Sequence, residues 1–184
     1  MFWAFDASGV LKRATQIPSP NCDDRPQGAR VELLVIHNIS LPPGEFGGPG
    51  IAHLFTNQLD PDAHPYYREI AGLRVSSHFL IRRDGELIQF VPCTKRAWHA
   101  GQSEWRGRGR CNDFSIGVEL EGTDERPFED SQYIVLADLT RALERAHPIR
   151  DRVGHADIAT PPGRKTDPGP HFDWARFRSL MKHE

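Results

Sequence analysis

The chain has 184 residues, with 23 Lys and Arg against 25 Asp and Glu, and a formal charge of −2. A balance this close to neutral excludes a protein that coats nucleic acid and a polybasic membrane binder, so neither partner is expected. Three cysteines far apart in sequence, against nine histidines, exclude a disulfide framework and a four-cysteine zinc knot and suit a reducing compartment.

Met1 to Phe5 is apolar, but Asp6 interrupts it and Lys12-Arg13 follow rather than lead. A secretory signal needs a basic start and an unbroken apolar run, and no stretch approaches the ~20 apolar residues of a membrane span. A cytoplasmic protein is expected. Pro18, Pro20 and Pro26 make residues 1–30 read as an irregular arm draped over a core of residues 31–184. Val31 to His37, nearly continuously apolar and β-branched, predicts a buried central strand ending on a histidine. The Pro/Gly-rich stretch 42–50 predicts a loop, 51–58 a short helix, and 59–73 another irregular loop. His78 to Arg83 and Glu86 to Val91 flank Asp84-Gly85, the signature of a two-residue hairpin turn with both central residues at positive φ.

Phe114 to Glu121 predicts a fourth strand, with Ile116, Val118 and Leu120 on one face and Glu119 and Glu121 on the other. Val135, Leu139, Ala142, Leu143 and Ala146 predict the apolar stripe of a main helix over 131–147, closed by Pro148. A short strand over 152–155 ends on His155 and leads into a Pro/Gly-rich loop over 160–170. Asp173 predicts the cap of a last helix carrying Trp174, Phe177, Leu180 and Met181. With no repeat and no linker, one α/β domain with a central mixed sheet flanked by helices is expected. A monomer is expected too.

His37, Glu119 and His155 sit where a core-building sequence does not need polar groups, and Lys165 and Asp167 follow in the next loop. Two imidazoles and a carboxylate suffice for a three-ligand zinc site with an open fourth position. A second carboxylate then serves as a proton shuttle. Taken singly, each residue also has an ordinary reading. A strand-end histidine is a hydrogen-bonded structural group, Glu119 a solvated residue on a polar face, and Lys165 and Asp167 part of a turn before Pro168-Gly169.

Several blocks appear in order: Val35-Ile36-His37-Asn38, Ser77 to Gly85, Trp98-His99-Ala100-Gly101, Cys111 to Gly122, Gly154-His155-Ala156-Asp157-Ile158-Ala159 and Arg164 to Pro170. Together they resemble the AmpD-type amidases, zinc enzymes of cell-wall recycling within the N-acetylmuramoyl-L-alanine amidases, whose fold is shared by the peptidoglycan recognition proteins. The resemblance implies that zinc (Zn2+) is held by His37, His155 and Asp167. It makes Glu119 the base, rather than its strand neighbour Glu121, and pairs Lys165 with zinc in stabilising the oxyanion. It also implies substrate contacts from Asn38, Tyr66, Arg74, Trp98, Arg110 and Ala159, with Trp98 equally readable as a core residue. His78 and His99 read as structural or supporting groups, and His53, His64, His147, His171 and His183 as surface or packing residues.

The third ligand is usually a cysteine in phage lysozyme-type amidases and recognition proteins. Asp167 in that place favours the recycling branch. The loop from His155 to Asp167 reads slightly longer than the family's usual form, so Thr160-Pro161-Pro162 is expected to bulge outward. The implied reaction is hydrolysis of the amide between the lactyl group of (1,6-anhydro-)N-acetylmuramic acid and L-alanine in small muropeptides. Two other readings stay beside it: the same cleavage on intact peptidoglycan, and a non-catalytic muropeptide-binding module. Binders of that kind typically lose a zinc ligand, and this chain keeps all three.

Overall fold

In the computed structural model, which describes residues 3–182, the N-terminal arm is not irregular throughout. It contributes two short strands, β1 (Thr15–Gln16) and β2 (Cys22–Asp24). It is tied down just beyond them by Arg25, whose guanidinium donates to the carbonyl oxygens of Cys93, Asn112, Asp113 and Ser115 at 2.9–3.3 Å. A single charged side chain thus satisfies four backbone acceptors, which no local pattern in the arm announces.

The apolar run forms β3 (Leu33–Ile39), two residues later than predicted, so His37 lies inside the strand and not at its end. A short helix follows, α1 (Gly50–Phe55). Residues 59–73, read as irregular, contain a second helix, α2 (Pro65–Ile70). Its start signal is local: the Nδ1 of His64 accepts from the Tyr66 N–H at 3.1 Å, and Pro65 takes the first helical position, where its missing N–H is not needed.

The predicted hairpin is present as β4 (Phe79–Ile81) and β5 (Leu87–Gln89), with Ile81 opposite Leu87. Its turn differs from the expectation. The Gly85 N–H donates to the Arg82 carbonyl at 2.9 Å and the Arg82 N–H to the Glu86 carbonyl at 2.9 Å. Gly85 has φ of 89° while Asp84 is not in the left-handed region. This is a three-residue loop with glycine at its left-handed position, not a two-residue turn.

Strand β6 (Lys95–Ala97) pairs antiparallel with β2, and β7 (Glu104–Trp105) with β8 (Arg108–Gly109). A 3₁₀ turn over Cys111–Phe114 feeds β9 (Ser115–Glu121). The main helix, α3 (Asp130–Ala146), buries Tyr133, Leu136, Ala137, Leu139, Thr140, Ala142 and Leu143. The predicted stripe is therefore set slightly off: Val135 is half-buried and Ala146 exposed, while Tyr133, Leu136 and Ala137 join the buried face. Thr140 escapes a hydropathy reading because its hydroxyl donates to the Leu136 carbonyl at 2.7 Å and so needs no water.

The chain closes with β10 (Asp151–Gly154), α4 (His155–Ile158) and α5 (Trp174–Leu180). Asp173 caps α5 as predicted, accepting from the Arg176 N–H at 2.8 Å. His155 opens α4 rather than ending a strand.

The main sheet has the order β1-β5-β4-β9-β3-β10. Strands β4, β9, β3 and β10 run parallel, β5 is antiparallel to β4, and β1 pairs parallel with β5. The sheet is thus mixed and flanked by helices, as expected. Leu34, Ile36, Ile116 and Val118 face α3 and the buried Phe177 of α5. Alternation along β3 and β9 then sends His37, Gly117 and Glu119 to the opposite face. That is where the polar residues gather.

Candidate metal centre and its cleft

His37 and Glu119 are register partners on adjacent parallel strands, so their side chains leave the sheet side by side. Gly154 pairs with Ile36, which brings the next residue, His155, level with His37. Asp167 arrives from the loop after α4. The Ala156 N–H donates to the Asp167 carbonyl at 2.9 Å. Gly154 admits the loop, since a Cβ there would lie 2.7 Å from the Pro168 ring. Asn38 holds the far side of the turn, donating to the Pro168 carbonyl at 3.0 Å and to Asp124 at 2.7 Å.

The Nδ1 atoms of His37 and His155 lie 3.1 Å apart, and the Asp167 Oδ2 is 2.9 Å from the first and 3.1 Å from the second. Either protons or a cation must hold three such electron-rich atoms together. The Nε2 of His155 faces the Ala100 carbonyl at 3.1 Å, and that of His37 faces the Nδ1 of His99 at 2.9 Å. Imidazole protons placed on these outward nitrogens would leave the inner faces to a cation. Four tetrahedral ligands on arms of about 2.0–2.1 Å stand roughly 3.3 Å from one another, so the cluster fits a zinc-sized ion. Among the described residues this is the group of His, Cys, Asp and Glu arranged to hold a metal.

Glu119 is 7% exposed and its Oε2 has no hydrogen-bond partner. Burial pushes its carboxyl well above the usual carboxylate range; Asp167 adds to this and Lys165 opposes it. Glu121, on the same strand face, is committed to structure. It accepts from Arg82 at 3.0 Å, from the Gly47 N–H at 2.7 Å and from the Arg83 N–H at 3.3 Å.

These groups floor an open cleft of about 910 Å³, whose walls include Asn38, Tyr66, Trp98, Lys165 and Arg164. Trp98 is half-buried and faces the cleft, not the core. Arg74, Arg110 and Ala159 do not line it. Arg110 is exposed and paired with Asp113 at 3.3 Å, and Ala159 is buried in a bridge to Ser103. Thr160, Pro161 and Pro162 are exposed, so the loop does bulge outward.

Of the other histidines, His78 is structural. Its Nδ1 accepts from the Gly117 N–H at 3.1 Å and its Nε2 meets the Lys95 carbonyl at 3.1 Å. Burial holds both His78 and His99 well below the ordinary imidazole range. His64 caps α2 and His147 packs at a tilt against Phe5, with ring centroids 6.4 Å apart. His53 is half-buried and His171 exposed; His183 lies outside the described residues. Sequence reasoning missed Ala100, Asn112 and Asp124, whose carbonyl, carboxamide and carboxylate hold the site's frame. Ala100 and Asn112 fall within the motif blocks, but a backbone acceptor carries no side-chain signal, so nothing in the sequence marks the role of the Ala100 carbonyl.

Residues 27–170 match the family model described as N-acetylmuramoyl-L-alanine amidase. The chain is 61% identical over 178 residues to the 1,6-anhydro-N-acetylmuramyl-L-alanine amidase AmpD of Escherichia coli (strain K12), an alignment that covers 96% of each protein. It superposes on a crystal structure of a selenomethionine AmpD derivative with a TM-score of 0.93 at 59% identity, covering 96% of this chain and 98% of that one. A second similar structure is that of AmiD of E. coli in complex with the substrate anhydro-N-acetylmuramic acid-L-Ala-D-γ-Glu-L-Lys. It has a TM-score of 0.59 at 29% identity, covering 96% of this chain and 65% of that one.

Proposed function

The chain belongs to the N-acetylmuramoyl-L-alanine amidase family, and on that premise we propose that it hydrolyses the lactyl–L-alanine amide of soluble 1,6-anhydro-muropeptides. The observation that carries this reading is the convergence of three ligand atoms beside a buried, unpartnered carboxylate at the floor of an open cleft. High identity to AmpD over nearly the whole chain supports the substrate class.

In this reading His37, His155 and Asp167 hold zinc. A zinc ion held there would supply Lewis-acid chemistry, lowering the pKa of a bound water and polarising the amide carbonyl. Glu119 accepts the water's proton on its free Oε2 and later delivers it to the departing alanine nitrogen. A carboxyl whose proton affinity is raised by burial is suited to both transfers. Lys165, exposed on the rim, brings a positive charge to the developing oxyanion. Tyr66 and Trp98 line the cleft where sugar and peptide lie. The reading places the enzyme in the cytoplasm as a monomer and a single domain. Among the described residues no helix is long and apolar enough to cross a membrane.

The test is to incubate the purified zinc-loaded protein with an anhydro-muropeptide and, separately, with intact sacculi. Peptide released from the soluble substrate alone supports the proposal. Sacculi cleaved at a comparable rate would overturn the substrate class, and no cleavage of either would overturn the reaction.

A further inference from the structure

The two imidazoles of the cluster share an outer support. Residues His99 and Ala100, neighbours in sequence, supply one acceptor each: the His99 Nδ1, 2.9 Å from the Nε2 of His37, and the Ala100 carbonyl, 3.1 Å from the Nε2 of His155. One side chain pins this dipeptide. The Asn112 carboxamide oxygen accepts from the backbone N–H of His99 at 3.2 Å and of Ala100 at 2.9 Å. The ring of His99 has a slot made for it, since a Cβ on Gly117 would lie 2.5 Å from its Cγ and 2.7 Å from its Nδ1. On the far side, the His99 Nε2 meets the Ser115 hydroxyl at 3.1 Å. A proton placed on that nitrogen leaves Nδ1 as an acceptor, which in turn requires the proton of His37 to sit on Nε2.

We infer that His99 is a positioning residue. It fixes the tautomer and rotation of His37 so that the Nδ1 lone pair faces the cluster, while Ala100 does the same for His155. The inference rests on His37, His155 and Asp167 being metal ligands. The backbone alone does not aim these rings, on strand β3 for His37 and at the start of α4 for His155, because an imidazole turns about its last side-chain bond unless its second nitrogen is held. Supports of this kind typically contribute 10–100-fold in metal affinity.

The experiment compares His99→Leu, which fills the slot without an acceptor, with His99→Asn, whose amide oxygen stands close to the position of Nδ1. Zinc affinity is measured by competition with a chromophoric chelator, coordination by the visible spectrum of the cobalt(II) protein, and fold by melting of the metal-free protein. The Leu variant is expected to bind zinc about 10–100-fold more weakly, with an altered cobalt spectrum and a metal-free melting temperature within about 2 °C of the parent. The Asn variant is expected to recover most of the affinity and the parent spectrum. Equal affinity and an unchanged spectrum in His99→Leu would overturn the inference, as would an Asn variant no better than Leu. Should His99→Leu fail to fold, Ser115→Ala is read by the same assays, with several-fold weakening expected and parental binding overturning the inference. His37→Ala separates the underlying reading: if it binds zinc as tightly as the parent, the ligand assignment itself has failed.

Discussion

Glu119 and Glu121 stand two residues apart on one face of one strand and have opposite surroundings. Glu121 is met by Arg82 and two backbone N–H groups, whereas the Oε2 of Glu119 is buried with no partner. A charge held in that state costs stability, and the cost has a sign that can be measured. Burial raises the native value of Glu119 above the ordinary 4.5, so the folded protein holds this proton more tightly than the unfolded chain. Its stabilising contribution is therefore full below the ordinary value and is lost as pH rises through the raised one. In metal-free protein, Glu119→Gln should melt above the parent at pH 7.5, with the gap closing toward pH 4. Identical melting at both pH values would refute the buried-charge account. Turnover of the same variant should fall on the order of 10²–10⁴-fold, and near-normal turnover would remove Glu119 from the base role. Sequence alternation puts both glutamates on one face and the family resemblance picks Glu119; the tertiary partners supply the physical difference between them.

At the scale of elements, the Asp84-Gly85 dipeptide marks the hairpin correctly, and the choice between turn types lies outside the dipeptide. Ser131 in α3 stands against the loop, and a Cβ on Gly85 would lie 3.2 Å from the Ser131 Cβ. Only Gly85 needs the left-handed region, with φ of 89°. Gly85→Ala should therefore cost about 1–2 kcal/mol, read as a lower denaturant midpoint at unchanged slope. A change under about 0.3 kcal/mol would contradict the observed turn. Helix α2 shows the converse case: His64 and Pro65 form a legible start signal, but six helical residues in a Tyr-rich loop are too few for periodicity to register. The stripe on α3 is legible in kind and misplaced in detail, because which side of a helix meets the sheet is set by tertiary packing. The short strands β1 and β2 depend on partners far along the chain, at β5 and β6.

At the scale of the molecule, three adjacent parallel strands, β9, β3 and β10, bring Glu119, His37 and His155 into one row and leave Asp167 to arrive from a loop. Ligands drawn from positions 37, 155 and 167 exist as a set only in the native state, so a metal held there binds the folded protein alone. At free zinc about 1,000-fold above its dissociation constant this adds roughly 4 kcal/mol, equivalent to a melting shift of roughly 8–16 °C for a chain of this size. Thermal unfolding of zinc-loaded and chelator-treated protein measures it. Coincident melting curves would argue against a metal in this cluster.

The sequence by itself determined the class of fold, the four principal strands, the main and last helices and the family, because alternation, caps and ordered motif blocks are local and survive without coordinates. It also singled out His37, Glu119, His155 and Asp167. Only the tertiary structure decided that these residues meet, that Glu121 is occupied elsewhere, that Arg74, Arg110 and Ala159 lie off the cleft walls, and that the Ala100 carbonyl and Asn112 carboxamide support the cluster. The physical reason is that register and hydrogen-bond partnership are properties of pairs distant in the chain, and a backbone carbonyl has the same appearance at every position in a sequence.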